Sequence, residues 1–183
     1  MTSTLLDRAA QHTLRQLAAV DIPVYLHALT ELLREAVNAG GSLGFLPPLE
    51  AVEARQYWLA LRQELNDGSR ILLAAFVGGR LVGSGQLAMP AWQNGRHRAE
   101  LQKLMVASAL QGQSIGGSLV EALHTTARRH GRTLLVLHTR HGEPPESFYR
   151  RRGYRTVGLV PGYTIGPAGE AFNSALMFTH LEG

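Results

Sequence analysis

The sequence predicts an α/β fold, with a mixed, mostly antiparallel central sheet flanked by helices in a single domain. Antiparallel strands are predicted first along the chain and one strand–helix–strand crossover in the middle, which is the order of an α/β sandwich and not of a doubly wound sheet. The 183 residues, of which 45% are hydrophobic and 17% charged, suffice for a buried core. Because no repeat or linker interrupts the pattern, we expect one domain over residues 1–183.

The N-terminal part of the chain predicts one strand and two helices. The apolar spacing of residues 13–20 predicts a strand, with a short helix as the alternative. Asp21 and Pro23 are typical of a helix start, and a helical apolar stripe follows them. The apolar loop over 40–48 is either a lid over a substrate or a packed connector. A second helix is predicted over 49–65.

A hairpin is the clearest local prediction. Apolar runs over 71–77 and 81–89 flank a Gly-Gly pair, which is a favoured two-residue turn. Strict alternation along the next strand, over 97–106, divides its side chains between the two faces of the sheet. One predicted set is Glu100, Gln102, Leu104 and Val106, and the other is Leu101, Lys103 and Met105.

The C-terminal half predicts a helix, a strand, a short helix and two further strands. The strongly apolar strand over 133–139 is expected at the buried centre of the sheet. The short helix begins at Pro144 and ends at Gly153. The last strands are predicted over 154–159 and 175–181.

A glycine-rich turn between a strand and a helix has the form of an anion-binding site. The strand ends at Val106, the turn runs from Gln111 to Gly117, and an amphipathic helix leaves it. A helix N-terminus presents unpaired N–H groups and a positive dipole end, and glycines let an anion approach them. A nucleotide P-loop is excluded because no lysine follows Gly116 and Gly117, and a dinucleotide-binding fingerprint lacks its middle glycine.

This turn resembles the signature of the GCN5-related N-acetyltransferase (GNAT) family. Gln111-x-x-Ser114-x-Gly116 has the spacing of the family's Arg/Gln-x-x-Gly-x-Gly/Ala motif, with Ser114 where the family has glycine. A second block, from Tyr149 to Tyr154, matches the family's Tyr-x-x-x-Gly-Phe/Tyr pattern.

A narrower likeness is to the subgroup that contains the tabtoxin-resistance acetyltransferase. It covers the chain from about residue 40 to the C-terminus, through the segments 41–45, 97–106, 160–163 and 167–169. Three departures are His138 in place of the subgroup's usual aspartate, Gly142 in place of a common asparagine and Pro145 in place of a common alanine.

The resemblance implies an enzyme that moves an acetyl group from acetyl-CoA to the amine of a small molecule, such as an antibiotic or toxin, by direct transfer. The alternative is a catalytically impaired GNAT-fold protein that binds acyl-CoA or regulates. The strand backbone would bind the pantetheine arm and the turn would hold the pyrophosphate. The implied cofactor-binding residues are Leu104, Met105, Val106, Gln111, Gly112, Gln113, Ser114, Ile115, Gly116, Gly117, Ser118, Phe148 and Tyr149.

Three side chains are implied in catalysis, each with a structural alternative. Tyr149 is the implied general acid, because a phenol is protonated at neutral pH and can give its proton to a thiolate; otherwise its ring packs in the core and its hydroxyl meets water. Glu100 is the implied base, directly or through water, or else it pairs with Arg98 or Lys103. His138 can act as a base without supplying a fixed negative charge, or it packs at the end of its strand.

Other residues leave alternatives open. Ser114 caps the helix, donates its hydroxyl to phosphate or crowds the ligand. The basic run over 150–152 is a solvated face or catches a phosphate of CoA. Phe45, Tyr57 and Trp58 line an acceptor pocket or pack in the core.

Composition limits the partners. The net charge of +4 is modest and spread along the chain, which suits a polyphosphate ligand and argues against nucleic acid. Without cysteine there is no disulfide or cysteine zinc site, and no histidine pair completes a metal site. No apolar run spans a bilayer and no signal-peptide pattern is present, so we expect a cytoplasmic protein without a membrane partner. The C-terminal strands also predict a homodimer.

Overall fold

The computed structural model describes residues 11–181 and contains one seven-stranded sheet. Its strand order is β1-β2-β3-β4-β5-β7-β6, and among the described strands only β4 and β5 pair in parallel. The strands are β1 (His12–Leu17), β2 (Arg70–Val77), β3 (Arg80–Ala88), β4 (Arg98–Val106), β5 (Leu134–Arg140), β6 (Arg155–Ile165) and β7 (Ala171–His180). The helices are α1 (Ile22–Asn38), α2 (Ala51–Asp67), α3 (Ile115–Arg129) and α4 (Pro144–Arg150). The predicted mixed, mostly antiparallel sheet flanked by helices is confirmed.

Helices cover both faces of the sheet. On one side Leu119 and Leu123 of α3 are fully buried, and we call this side the α3 face. On the other side Leu29 of α1 and Trp58 of α2 are fully buried, and we call it the α1–α2 face. The apolar stripes of these helices each supply one layer of the core. Of the open alternatives for Trp58, core packing is therefore the observed one.

The predicted hairpin is present between β2 and β3. Its two turn residues, Gly78 and Gly79, have φ angles of 55° and 78°. Positive φ at both central positions is the requirement of the turn that matches the strand twist, and glycine meets it without steric cost.

The strand β4 carries one extra residue opposite β3. Ser84 of β3 pairs with Met105 of β4, and Gln86 pairs with Gln102. The two-residue step from Ser84 to Gln86 is therefore opposite a three-residue step on β4. Lys103, one of the two residues between Gln102 and Met105, has a φ of 51°. This is a β-bulge, which turns neighbouring side chains to the same face.

The bulge overturns the predicted alternation along β4. Leu101 and Leu104 both pack on the α3 face, although strict alternation would separate them. Gln102 and Lys103 both lie on the α1–α2 face, and Glu100 shares it. The expectation that Glu100 and Leu104 share a face is wrong, because the extra residue shifts the alternation by one position.

The ends of the chain differ most from the predicted bounds. The first segment is the strand β1, not the alternative helix. The strands β6 and β7 are both longer than the predicted 154–159 and 175–181. Their ladder is irregular between Val160 and Thr164, which accommodates Pro161 inside an edge strand.

Candidate active site

The sheet opens between β4 and β5. Their parallel ladder ends at the pair of Glu100 and Val136. Beyond it β4 pairs only with β3, as far as Val106, and β5 only with β7, as far as Arg140. The facing backbone edges of the two strands are therefore left for an extended ligand to bind.

The gap corrects the expectation that β5 is buried on both faces. Leu135 and Leu137, on the α3 face, are buried, whereas His138 on the opposite face is exposed. Without a neighbouring strand at that point, the α1–α2 face of β5 borders an open cleft.

The turn before α3 presents free backbone N–H groups at the open end of the gap. Gly112 and Ser114 have φ angles of 79° and 65°, and α3 begins at Ile115. Ser118 donates its backbone N–H to the Ser114 carbonyl at 3.0 Å, so the three N–H groups before Ser118 have no partner within the helix. Together with the helix dipole they form an anion-binding site.

Two side chains of the turn have defined places. Gln111 donates its amide Nε2 to the Val106 carbonyl at 3.2 Å and so ties the turn to the end of β4. Ser114 makes no side-chain capping bond to α3, so the capping alternative for Ser114 is wrong. Its left-handed backbone directs its side chain away from the helix N–H groups that a cap would reach.

An arginine and an aromatic ring border the first turn of α3. The Phe148 ring lies 3.5 Å from the place that a Cβ on Gly116 would take. The Arg152 guanidinium stacks on that ring at 3.6 Å and donates to the Phe148 carbonyl at 3.0 Å, with its free end beside Gly117. A cation beside a helix N-terminus raises the local positive potential and favours an anionic ligand.

Tyr149 occupies the α3 face next to this arginine. Only 8% of the residue is exposed, and its ring makes edge contacts with Phe148 and Tyr154 at 5.2 and 5.5 Å. Burial raises the pKa of the Tyr149 phenol, against a smaller lowering by Arg152. No hydrogen-bond partner for its hydroxyl occurs within residues 11–181, so a neutral donor is left for a ligand.

Glu100 of β4 and His138 of β5 lie on opposite sides of the gap, and both are on the α1–α2 face. Glu100 stands at the fork where β4 and β5 separate. Neither Arg98 nor Lys103 forms an ion pair with Glu100 in the described part of the chain, so the salt-bridge alternative is not observed. His138 stacks on Tyr163 of β6 with ring centroids 4.8 Å apart and 3° between the planes. The gap thus separates a strand edge that carries Glu100 from one that carries His138.

Comparison with known protein families shows which family this chain belongs to. The profile of the Acetyltransferase (GNAT) family matches residues 27–154, more than half of the chain. The chain belongs to the GNAT family. It is therefore an acyl-CoA-dependent N-acetyltransferase that uses acetyl-CoA as cosubstrate.

Individual relatives agree with the family. The chain is 32% identical over 117 residues, 63% of its length and 68% of the relative's, to an uncharacterized N-acetyltransferase from the hisH-hisA intergenic region of Azospirillum brasilense. The fold is shared with ribosomal-protein-alanine N-acetyltransferase of Brucella melitensis, with a TM-score of 0.73, 21% identity and coverage of 92% and 99% of the two chains. It is also shared with yncA of Salmonella typhimurium, solved with its cofactor acetyl-CoA, with a TM-score of 0.75, 18% identity and coverage of 93% and 94%.

The residues present fit acetyl-CoA. A GNAT enzyme needs donors for a pyrophosphate and an open strand edge for a pantetheine amide chain. The unpartnered N–H groups before Ser118, with the Arg152 cation beside them, meet the first need. The unpaired edge of β4 beyond Glu100 meets the second.

Two residues that sequence reasoning did not single out organise the GNAT site. Lys103 sits on the bulge of β4 and donates its Nζ to the Leu43 carbonyl at 2.6 Å. Glu146 is 4% exposed and binds the loop between β5 and α4. The sequence alone does not point to a buried role for Glu146, because a glutamate near a helix start is common on protein surfaces.

The loop between α1 and α2 closes the α1–α2 face of the gap. Lys103 of β4 holds it at Leu43, and Arg140 of β5 donates to the Gly40 carbonyl at 3.4 Å. Phe45 of the loop packs edge-on against Tyr57 at 5.5 Å. The loop is thus bonded to both strands that border the gap, which is the position that a wall of an acceptor pocket requires.

Between Gln11 and Leu181 no helix is long and apolar enough to cross a membrane. The same part of the chain contains no group of three histidine, aspartate or glutamate side chains that could hold a metal ion.

Proposed function

We propose that this GNAT enzyme acetylates the amine of a small molecule by direct transfer from acetyl-CoA. The observation that supports the proposal is the gap beyond Glu100, where the β4–β5 ladder ends. We assign Tyr149, on the α3 face, as the proton donor and Glu100, on the α1–α2 face, as the base. Because the sequence has no cysteine, a thiolate nucleophile for a covalent enzyme intermediate is absent.

The residues proposed to hold acetyl-CoA are those of the turn and the strand edge. The backbone of Leu104, Met105 and Val106 binds the pantetheine arm, and the turn from Gln111 to Ser118 binds the pyrophosphate. Phe148 and Tyr149 border the thioester end. The free N–H groups and the Arg152 guanidinium support this assignment.

Acetyl-CoA supplies the thioester, whose C–S bond is exchanged for a C–N bond to the acceptor. Glu100 takes the proton that the amine releases, directly or through water, and His138 is a second candidate for this role. Tyr149 donates its phenolic proton to the departing sulfur, which leaves as the CoA thiol, and the phenol regains a proton from solvent. Its raised pKa keeps the phenol protonated over the whole working pH range.

Tyr149→Phe tests the catalytic role. We expect the variant to lose about 10²- to 10⁴-fold in kcat, the usual contribution of a positioned acid, while the Kd for acetyl-CoA by isothermal titration stays unchanged. Turnover is followed as release of the CoA thiol with a panel of small amines. Tyr154→Phe is the control, because that hydroxyl bonds His124 at 3.0 Å and lies outside the proposed chemistry.

The second candidate is an acyl-CoA-binding protein with impaired catalysis. The left-handed Ser114 in the cofactor turn favours it, since a residue with a side chain stands where the family has glycine. Acetyl-CoA binding without acetylation of any amine would decide for this candidate. Equal turnover of the wild type and Tyr149→Phe would show that Tyr149 is not the general acid, while the proposed acetyltransferase activity would still stand.

The same proposal includes the subgroup, the cellular location and the oligomeric state of the protein. The tabtoxin-resistance subgroup remains the proposed subgroup, and the cytoplasm the proposed location. A homodimer is proposed through the edge strand β6, which exposes a row of apolar side chains that a second copy would cover. These are Val157, Leu159, Val160, Tyr163 and Ile165.

A further inference from the structure

Lys103 occupies an unusual backbone position for a side-chain-bearing residue. Of the 18 lysine and arginine residues, it is the only lysine. Its φ of 51° on the β4 bulge lies in the left-handed region, which is strained for a residue with a Cβ. Strain of this kind persists where the surrounding structure holds it, and it concentrates at binding and catalytic sites.

The Lys103 ammonium lies under the loop between α1 and α2. It donates one hydrogen bond, to the Leu43 carbonyl, and stands 5.4 and 5.3 Å from the ring centroids of Phe45 and Tyr57. Among residues 11–181 no carboxylate lies within ion-pair distance of it. Burial and the neighbouring Arg70 lower the pKa of Lys103, while Glu100 raises it. An ammonium has three donors, so two are left for a ligand.

Glu100 lies on the same face as Lys103 and, like it, forms no ion pair within the described residues. Other charged groups nearby are neutralised, as Arg70 is by Glu64 at 2.7 Å and Arg140 by Glu143 at 3.5 Å. Glu100 forms no such pair within the described residues. One strand therefore carries a carboxylate at the fork of the gap and an ammonium three residues further along the same face, and they form no ion pair with each other.

From these two groups we infer that the acceptor is an amino acid, whose carboxylate binds Lys103 while its amine faces Glu100. The inference rests on the proposed function and narrows its acceptor class. A zwitterion matches two fixed charges of opposite sign on one face, whereas a simple amine would leave the Lys103 ammonium half-buried without a counter-ion. The aromatic rings of Phe45 and Tyr57 contact the ammonium itself and hold it in place without neutralising its charge.

The first test compares matched acceptors. The panel consists of α-amino acids and their carboxamides, which keep the amine and lose the negative charge. Lys103→Met keeps an unbranched side chain and removes the charge, and Lys103→Arg keeps the charge. We expect Lys103→Met to raise KM for the amino acids about 10- to 100-fold, which corresponds to one charge-assisted hydrogen bond, and to leave the carboxamides within about 3-fold. Lys103→Arg should recover part of the loss.

Two results would overturn the inference while the proposed function stood. The first is an equal loss on amino acids and carboxamides, which would make Lys103 only a clamp of the loop. The second is a preference of the wild type for carboxamides over amino acids.

The second test does not depend on turnover. Since Lys103 is the sole lysine, ¹³C-labelled lysine gives one side-chain NMR signal. In protein saturated with CoA, an amino acid should shift this signal and raise the pKa of Lys103, and its carboxamide should do neither. An unchanged signal with every amino acid would contradict the inference. If acetyl-CoA binds and no amine is acetylated, the proposed small-molecule activity fails as well.

Discussion

Ser114 holds a backbone conformation that suits glycine. Its φ of 65° lies in the left-handed region, in the turn that the GNAT signature assigns to glycine. Glycine was not needed for the chain to fold there, because serine with a short polar side chain tolerates the strain. The serine is nonetheless expected to cost stability without a compensating cap.

Replacement of Ser114 by glycine should stabilise the protein. We expect Ser114→Gly to raise the free energy of unfolding by about 0.5–1 kcal/mol, or roughly 1–4 °C in Tm, because the left-handed strain is removed. The Kd for acetyl-CoA should fall as the turn opens to the ligand. Ser118→Gly is the control: this residue is inside α3, where glycine should destabilise by about 0.5–1 kcal/mol. A lower Tm for both variants would contradict the argument.

The connection between β5 and α4 is organised around the Glu146 carboxylate. It accepts hydrogen bonds from the Gly142 N–H at 2.8 Å and from Arg150 at 2.6 Å, and it lies 3.0 Å from Nδ1 of His141. The Gly142 N–H is the first of the causes that lower the pKa of Glu146, and His141 and Arg150 add to it. Because α4 carries Tyr149, this carboxylate also sets the position of the proposed acid.

Neutralisation of Glu146 should loosen this connection. We expect Glu146→Gln to lower the free energy of unfolding by about 1–3 kcal/mol at pH 7, since charge-assisted hydrogen bonds are lost from a buried site. Because its folded-state pKa lies below its ordinary value, the wild-type advantage should be present above about pH 4.5 and disappear at lower pH. The measurement is urea unfolding over pH. Glu143→Gln, which removes a longer ion pair of 3.5 Å whose carboxylate is 38% exposed, should change stability by less than about 0.5 kcal/mol, and an equal effect of both variants would refute the assignment.

A histidine links α3 to the start of β6. His124 lies 3.0 Å from the Tyr154 hydroxyl, and burial lowers the pKa of His124 to about 4, with a smaller contribution from Arg128. The folded state thus binds fewer protons than the unfolded state between about pH 6.5 and pH 4. Stability should therefore fall as the pH drops through this window.

The variant His124→Gln should reduce this acid sensitivity. It keeps a hydrogen-bonding group near Tyr154 and removes the titration, so the decrease in Tm from pH 6.5 to pH 4 should shrink by roughly 2–6 °C, after allowance for partial solvent exposure. Thermal unfolding over pH provides the measurement. His130→Gln, at an exposed position, should keep the wild-type pH dependence, and an unchanged slope in His124→Gln would contradict the prediction.

The sheet as a whole has two ends of different character. At one end β1 is short, whereas at the other β6 runs over 155–165 as an edge strand with several exposed apolar side chains. A long apolar edge strand exposed in a monomer would promote aggregation. We therefore propose that a second copy of the chain covers β6.

A charge on this edge should separate the proposed dimer. Leu159 is 46% exposed on β6, and we expect Leu159→Lys to convert a dimeric wild type into monomers in sedimentation velocity at micromolar concentration. Val52→Lys, at a 63% exposed position on α2, is the control that should leave the assembly unchanged. A wild type that sediments as a monomer at every concentration would refute the dimer.

Much of the site could be predicted from the sequence because its signals are local. The turn from Gln111 to Gly117 joins a strand to a helix over consecutive residues, and its spacing identified the family that the profile match confirmed. The hairpin is local in the same way, because it depends on the positive φ angles of the adjacent residues Gly78 and Gly79. The roles of the residues in the turn stay a prediction.

The remaining features arise from contacts between distant segments. The bulge at Lys103 follows from register against β3, and its bond to Leu43 joins residues 60 positions apart. The gap beyond Glu100 exists because β4 and β5 stop pairing while each keeps its other neighbour. Periodicity records which residues prefer burial, but it carries no information on where a ladder ends. The local sequence therefore specified the cofactor turn, and the packing of the sheet created the cleft in which the acceptor is proposed to bind.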